Sequence, residues 1–117
     1  MRYMMIVKAD SGEASPNPEM AAAVEKLAED MTKSGVLLDR GAMQAISTGT
    51  VFKLAGGKVS ATEGPFTEMN EVVGGYSIYN VESKEEAMKL ARQFLEIAAK
   101  IMGPHYTTEM EVLRLWP

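Results

Sequence analysis

Tyr3, Met5 and Val7 alternate with Met4 and Ile6 along residues 2–8, so a strand there carries apolar side chains on both faces. A strand apolar on both sides needs cover on both, which predicts a central position in a sheet. Residues 9–17 are rich in Asp, Ser, Gly and Asn and read as a loop. Asn17 then caps a predicted helix whose first position is Pro18, where a missing N–H costs nothing. Met20, Val24, Leu27 and Met31 repeat at helical spacing, and Gly35 stands where a left-handed residue ends the helix.

Val36, Leu37 and Leu38 open a second strand or extended segment. Residues 50–55 and 58–62 flank Gly56-Gly57 and predict a hairpin with a primed turn. A loop from Glu63 to Phe66 follows, then a polar stretch with room for one helical turn. Val72 to Val81 reads as a strand, with a bulge expected at Gly74-Gly75. Ser83 and Glu86 form a capping-box pattern ahead of an apolar stripe of Ala87, Leu90, Ala91, Phe94, Leu95, Ala98, Ile101 and Met102. Gly103-Pro104 stops that helix, and residues 109–116 make the closing strand.

The order predicts an α+β domain of the ferredoxin-like β-α-β-β-α-β kind, with an inserted β-hairpin before the third main strand. A chain of 117 residues accommodates one such domain over its whole length. Two helices cover one face of the antiparallel sheet. The other face, expected to carry Met4, Ile6, Tyr79 and Val81, is too apolar to stay wet on a monomer. A second copy packed face to face solves this, so a homodimer is expected.

Charge narrows the partners. A net charge of −4, with 12 basic residues scattered among 16 acidic ones, leaves no clustered basic face for nucleic acid. No helix is basic and amphipathic, and the opening apolar stretch breaks at Lys8, so neither membrane binding nor a signal peptide is expected. The absence of cysteine removes disulfides, thiolate nucleophiles and Cys-ligated metals, which fits a cytoplasmic location. The ten Met residues, spread along the chain, read as adaptable core or interface filler.

Candidate chemistry is sparse. His105 is the single histidine and follows Gly103-Pro104 in a loop, where it can serve as general acid or base if Glu63, Asp39 or Glu109 orients it. Glu63 precedes Gly64-Pro65-Phe66, a turn in which Pro65 sets its own φ and Phe66 anchors the loop. Glu63 is a candidate base or polar ligand contact. Arg40 offers a bidentate partner for a substrate carboxylate, or a surface ion pair; Arg114 is less free. Phe66 and Tyr76 are candidate substrate contacts, with Tyr76 and Tyr79 expected at the sheet or dimer interface. One His without Cys falls short of a zinc site, no glycine run matches phosphate-binding spacing, and no serine sits in a nucleophile elbow. No cofactor or metal is expected.

The segment Val59-Ser60-Ala61-Thr62-Glu63-Gly64-Pro65-Phe66-Thr67-Glu68, followed by Gly74-Gly75-Tyr76, resembles the YCII-related family. It is most similar to the branch named for its Asp-Gly-Pro-Phe motif, with Glu63 standing where Asp is usual. The opening strand, the Gly-Gly hairpin, the Ser83 helix start and the closing Glu111-Val112-Leu113-Arg114 strand fall in the order that the resemblance requires. It implies a ferredoxin-like fold paired into a dimeric α/β barrel with a cleft between sheet and loops. Some relatives act on small organic acids or aromatic compounds through a His and Asp pair, with the His on the first helix; this chain has no His there. The expected function is a small-molecule-binding homodimer, in one version a cofactor-free lyase or isomerase acting on a small organic acid. The alternative is a non-catalytic accessory or regulatory protein in a sigma-factor-linked transcription pathway, since members of the branch often accompany sigma-factor genes.

Overall fold

Main-chain hydrogen bonding follows the predicted punctuation closely. A computed structural model describes residues 1–8, 17–43, 49–63 and 73–117. The elements are β1 (Arg2–Lys8), α1 (Pro18–Lys33), β2 (Leu37–Ala42), β3 (Thr50–Ala55), β4 (Lys58–Glu63), β5 (Val73–Asn80), α2 (Lys84–Met102) and β6 (Met110–Arg114). Residues 9–16 of the expected 9–17 loop, residues 64–66 of the expected Glu63–Phe66 loop and the expected helical turn after it lie outside the described residues.

Caps set the helix starts. The Asn17 side-chain oxygen accepts from the Met20 amide at 3.0 Å, and Pro18 opens α1. The Ser83 hydroxyl accepts from the Glu86 amide at 3.1 Å at the start of α2. The Glu86 carboxylate reaches back one residue further than the capping-box pattern predicts, to the Glu82 amide at 3.0 Å. The φ angles of Gly56 and Gly57 are 59° and 75°, the double positive φ that a primed two-residue hairpin turn demands.

Four strands form one antiparallel sheet in the order β2-β5-β1-β6, and among the described residues β3 pairs only with β4. This is the α+β ferredoxin-like arrangement, with two helices on one face and a hairpin inserted between β2 and β5. Between Val7 and Lys8 the register against β5 skips Gly74, so the expected bulge falls there.

Tyr3 and Met5 point to the helix side and join Leu37, Tyr79, Val81, Ala28, Ala87 and Ala91 in one core. The buried helix positions are all alanine, which lets both helix backbones approach the sheet while the larger Met, Leu and Val side chains fill the margins. Pairing corrects one expectation. Tyr3 lies directly opposite Tyr79, so Tyr79 shares the helix face, and Val81 is buried there with it. The front face instead carries Met4, Ile6, Tyr76, Ile78 and Leu113, which lie opposite one another across three strands. No helix among the described residues is long and apolar enough to cross a membrane.

Met5 is the largest fully buried side chain, 1% exposed. Met5→Ala is therefore expected to lower the unfolding free energy by about 2–4 kcal/mol in urea denaturation. Ser83→Ala, which removes only the cap, is expected to cost about 1 kcal/mol.

Candidate functional site

Strand parity sorts the candidate residues before any distance is considered. Gly41 pairs with Tyr76 and Asp39 with Ile78, which puts Asp39, Gly41 and Tyr76 on the front face of the sheet. Arg40 pairs with Ser77 between them and points to the helix side. There its guanidinium donates to both carboxylate oxygens of Glu25 on α1, one at 2.6 Å. Hydrogen bonding from Arg40, and then its charge, hold Glu25 below the usual carboxylate range. Arg40 thus ties α1 to β2 and does not share a face with Tyr76.

On the front face the Tyr76 ring lies over Gly41. A Cβ at Gly41 would come within 2.6 Å of Tyr76 Cε1, so glycine is what lets the ring lie down on β2. In that position the Tyr76 hydroxyl donates to Asp39 Oδ2 at 3.3 Å, and Asp39 Oδ1 accepts from the Arg40 amide at 2.8 Å. The amide bond steers the carboxylate, while the hydroxyl bond is long and readily exchanged. Two strands away, Lys8 Nζ lies 3.0 Å from Glu111 Oε1, with the lysine side chain only 19% exposed. Glu111 pairs with Ile6, so this ion pair is also on the front face. The face is an apolar floor of Met4, Ile6 and Ile78 with a polar couple at each side.

A carboxylate beside a phenol presents one acceptor and one donor to the same small ligand. Both groups are open to water in the single chain, where their electrostatic pull is weak. Covering the face would strengthen them.

The other candidates lie elsewhere. Glu63 ends β4 opposite Thr50, exposed, at the base of the hairpin. His105 is exposed in the turn after α2, and no hydrogen bond or ion pair among the described residues reaches it. That turn runs into β6 at the end of the sheet where Lys8 and Ala42 lie. Phe66 lies outside the described residues. Arg114 pairs with Tyr3 on the helix side, exposed near the chain end. A surface depression of about 460 Å³ follows the outer side of α2, lined by Lys84, Glu85, Met88, Lys89 and Arg92, and contains none of these residues. Among the described residues no three His, Asp or Glu side chains gather as a metal site.

Sequence reasoning weighed Asp39 only as a partner for His105 and did not single out Lys8 or Glu111. The signal for Asp39 was available in parity, since it and Gly41 are alternate residues facing an aromatic strand. The Lys8–Glu111 pair joins opposite ends of the chain and had no local signature.

Two substitutions test this geometry. Gly41→Ala should push the Tyr76 ring off β2 and destabilise the protein by about 1–2 kcal/mol, a cost largely absent when Tyr76 is already Ala. A urea-denaturation double-mutant cycle reads that coupling. Glu25 has a folded-state pKa below its unfolded one, so its contribution is present above the ordinary carboxylate range and is lost as pH falls through the folded value. In Glu25→Gln that part of the acid-side decline in Tm is expected to vanish.

No curated protein matches the chain. A family model, the YCII-related domain, matches residues 1–102 and so spans β1 through α2. That stretch holds both helices, the hairpin and three of the four sheet strands, and the chain belongs to the YCII-related family.

Proposed function

We propose that the chain is a small-molecule-binding homodimer of the Asp-Gly-Pro-Phe branch, with Glu63-Gly64-Pro65-Phe66 as its version of the motif. Two copies face each other across the fronts of their sheets, and the ligand lies between them against Tyr76 and Asp39. The observation that carries this reading is the Tyr76–Asp39 couple, fitted over Gly41 at the edge of the apolar floor of Met4, Ile6 and Ile78. Packing alone would favour an apolar residue at each of these positions, because burying a polar pair offers stability little.

A small hydroxy acid suits the pair. Its hydroxyl donates to the Asp39 carboxylate, its carboxylate accepts from the Tyr76 hydroxyl, and its carbon skeleton lies on Ile6 and Ile78. The site requires no metal or cofactor to do this. A facing twin excludes water and turns two weak, exposed hydrogen bonds into strong ones.

The test is a thermal-shift panel of lactate, glycerate, mandelate and matched acids lacking the hydroxyl. A ligand at about 100 times its Kd is expected to raise Tm by roughly 5–10 °C. Tyr76→Phe and Asp39→Asn should each reduce that shift by more than half. A panel in which no acid shifts Tm, or in which both variants respond as the parent does, overturns the ligand reading. A protein that sediments as a monomer at micromolar concentration overturns the dimer.

A further inference from the structure

The hairpin β3–β4 is a two-faced ribbon. Pairing sets Phe52 opposite Ala61 and Leu54 opposite Val59, so these four residues form one face, with Thr50 and Glu63 at its base. The reverse face carries Val51, Lys53, Ala55, Lys58, Ser60 and Thr62 and is mostly polar. Such alternation is the mark of a sheet with one covered side. Yet every residue of β3 and β4 is exposed, with Phe52, Leu54 and Val59 at 71%, 73% and 70%. Among the described residues the apolar side therefore finds no cover, and an isolated two-stranded hairpin is marginal in water. The radius of gyration is 16.0 Å, against about 13 Å for a compact domain of this length.

Area identifies the cover. Phe52, Leu54 and Val59 leave on the order of 350 Å² of apolar side chain in water, already the size of the largest patch on an ordinary monomer. The sheet front adds on the order of 250 Å² from half-buried Met4, Ile6 and Ile78 and from Leu113. A stable interface takes about 800 Å² from each partner, so the sheet front alone falls well short and the two surfaces together approach it. A charged partner protein is a poor match, because the hairpin's apolar face carries one ionisable side chain, Glu63, at its base.

We propose that the hairpin is an intersubunit arm, whose Phe52–Leu54–Val59–Ala61 face packs on a second copy of this chain. The proposal rests on the face-to-face dimer described above. It adds that sheet contact is insufficient without the arm, and that each arm is ordered by the partner. Because Glu63 lies on the docking side of the arm, that carboxylate is brought to the interface by the same contact.

Sedimentation velocity over a dilution series tests this, with Phe52→Ser/Leu54→Ser beside the parent. Both positions are exposed in the single chain, so the variant is expected to keep its circular dichroism and its urea midpoint at dilutions where both proteins are monomeric. Its dimer dissociation constant should rise roughly 100-fold, as for loss of central apolar anchors. A parent dimer whose variant associates equally well overturns the arm and leaves the sheet-to-sheet dimer standing. A parent that is monomeric throughout overturns both. A variant monomer with a lowered urea midpoint shows that the hairpin covers its own sheet, which also overturns the arm. Hydrogen exchange gives an independent readout. Amides of residues 50–63 should be protected in the concentrated parent and lose protection on dilution, whereas protection that does not depend on concentration contradicts partner docking.

Discussion

The alternation of β1 governs the molecule, since Tyr3 and Met5 must go one way and Met4 and Ile6 the other. The helix side is satisfied within the chain. Alanines at the buried helix positions bring α1 and α2 close enough to seal Tyr3, Met5, Leu37 and Tyr79 from water. Nothing among the described residues does the same for the front. The sheet is therefore a half-finished sandwich, with a close-packed back and an apolar front that only a further layer can dehydrate. Every functional inference about this chain follows from that asymmetry, because a ligand or a partner at the front gains burial that the fold itself leaves unclaimed.

The polar groups on that front acquire meaning from the same constraint. An exposed carboxylate and phenol on a solvated surface would be ordinary. Set beside Met4, Ile6 and Ile78, and held by a ring lying on a glycine, they form directed polar points at one side of an apolar floor. The Lys8–Glu111 pair at the opposite side is internally neutral, so it closes the floor without imposing a net charge. Arg40 shows how parity overrides residue type. It is the strongest carboxylate binder near the site, yet one step along β2 sends it to the back, where Glu25 takes it.

Much of the architecture was legible in the chain because it depends on local rules. Asn17-Pro18, Ser83 with Glu86, Gly56-Gly57 and Gly103 each act through their own backbone neighbourhood, and each marks an element end as read. The assignment of sheet faces failed at Tyr79 and Val81, because facing depends on register across strands far apart in sequence, and a one-residue offset exchanges the faces. The candidate site was legible only in part. Tyr76 could be picked out as an aromatic beside paired glycines, whereas its couple with Asp39 exists only once β2 is laid against β5. His105 was singled out by its chemistry and its loop position after Gly103-Pro104, and the exposed turn that holds it supplies no orienting carboxylate among the described residues.

The hairpin completes the reasoning about cover. A ribbon with polar residues on one side and Phe52, Leu54 and Val59 on the other is as one-sided as the sheet, and it occurs as an insertion in a scaffold that closes without it. Exposed apolar side chains promote association and contribute nothing to a monomer's core. Large apolar side chains on one face alone leave a surface that nothing among the described residues meets. The four-stranded sheet and the ribbon thus pose the same question of solvent exposure twice within one chain. The proposed twin would answer both at once, because each copy would supply a surface that the other lacks.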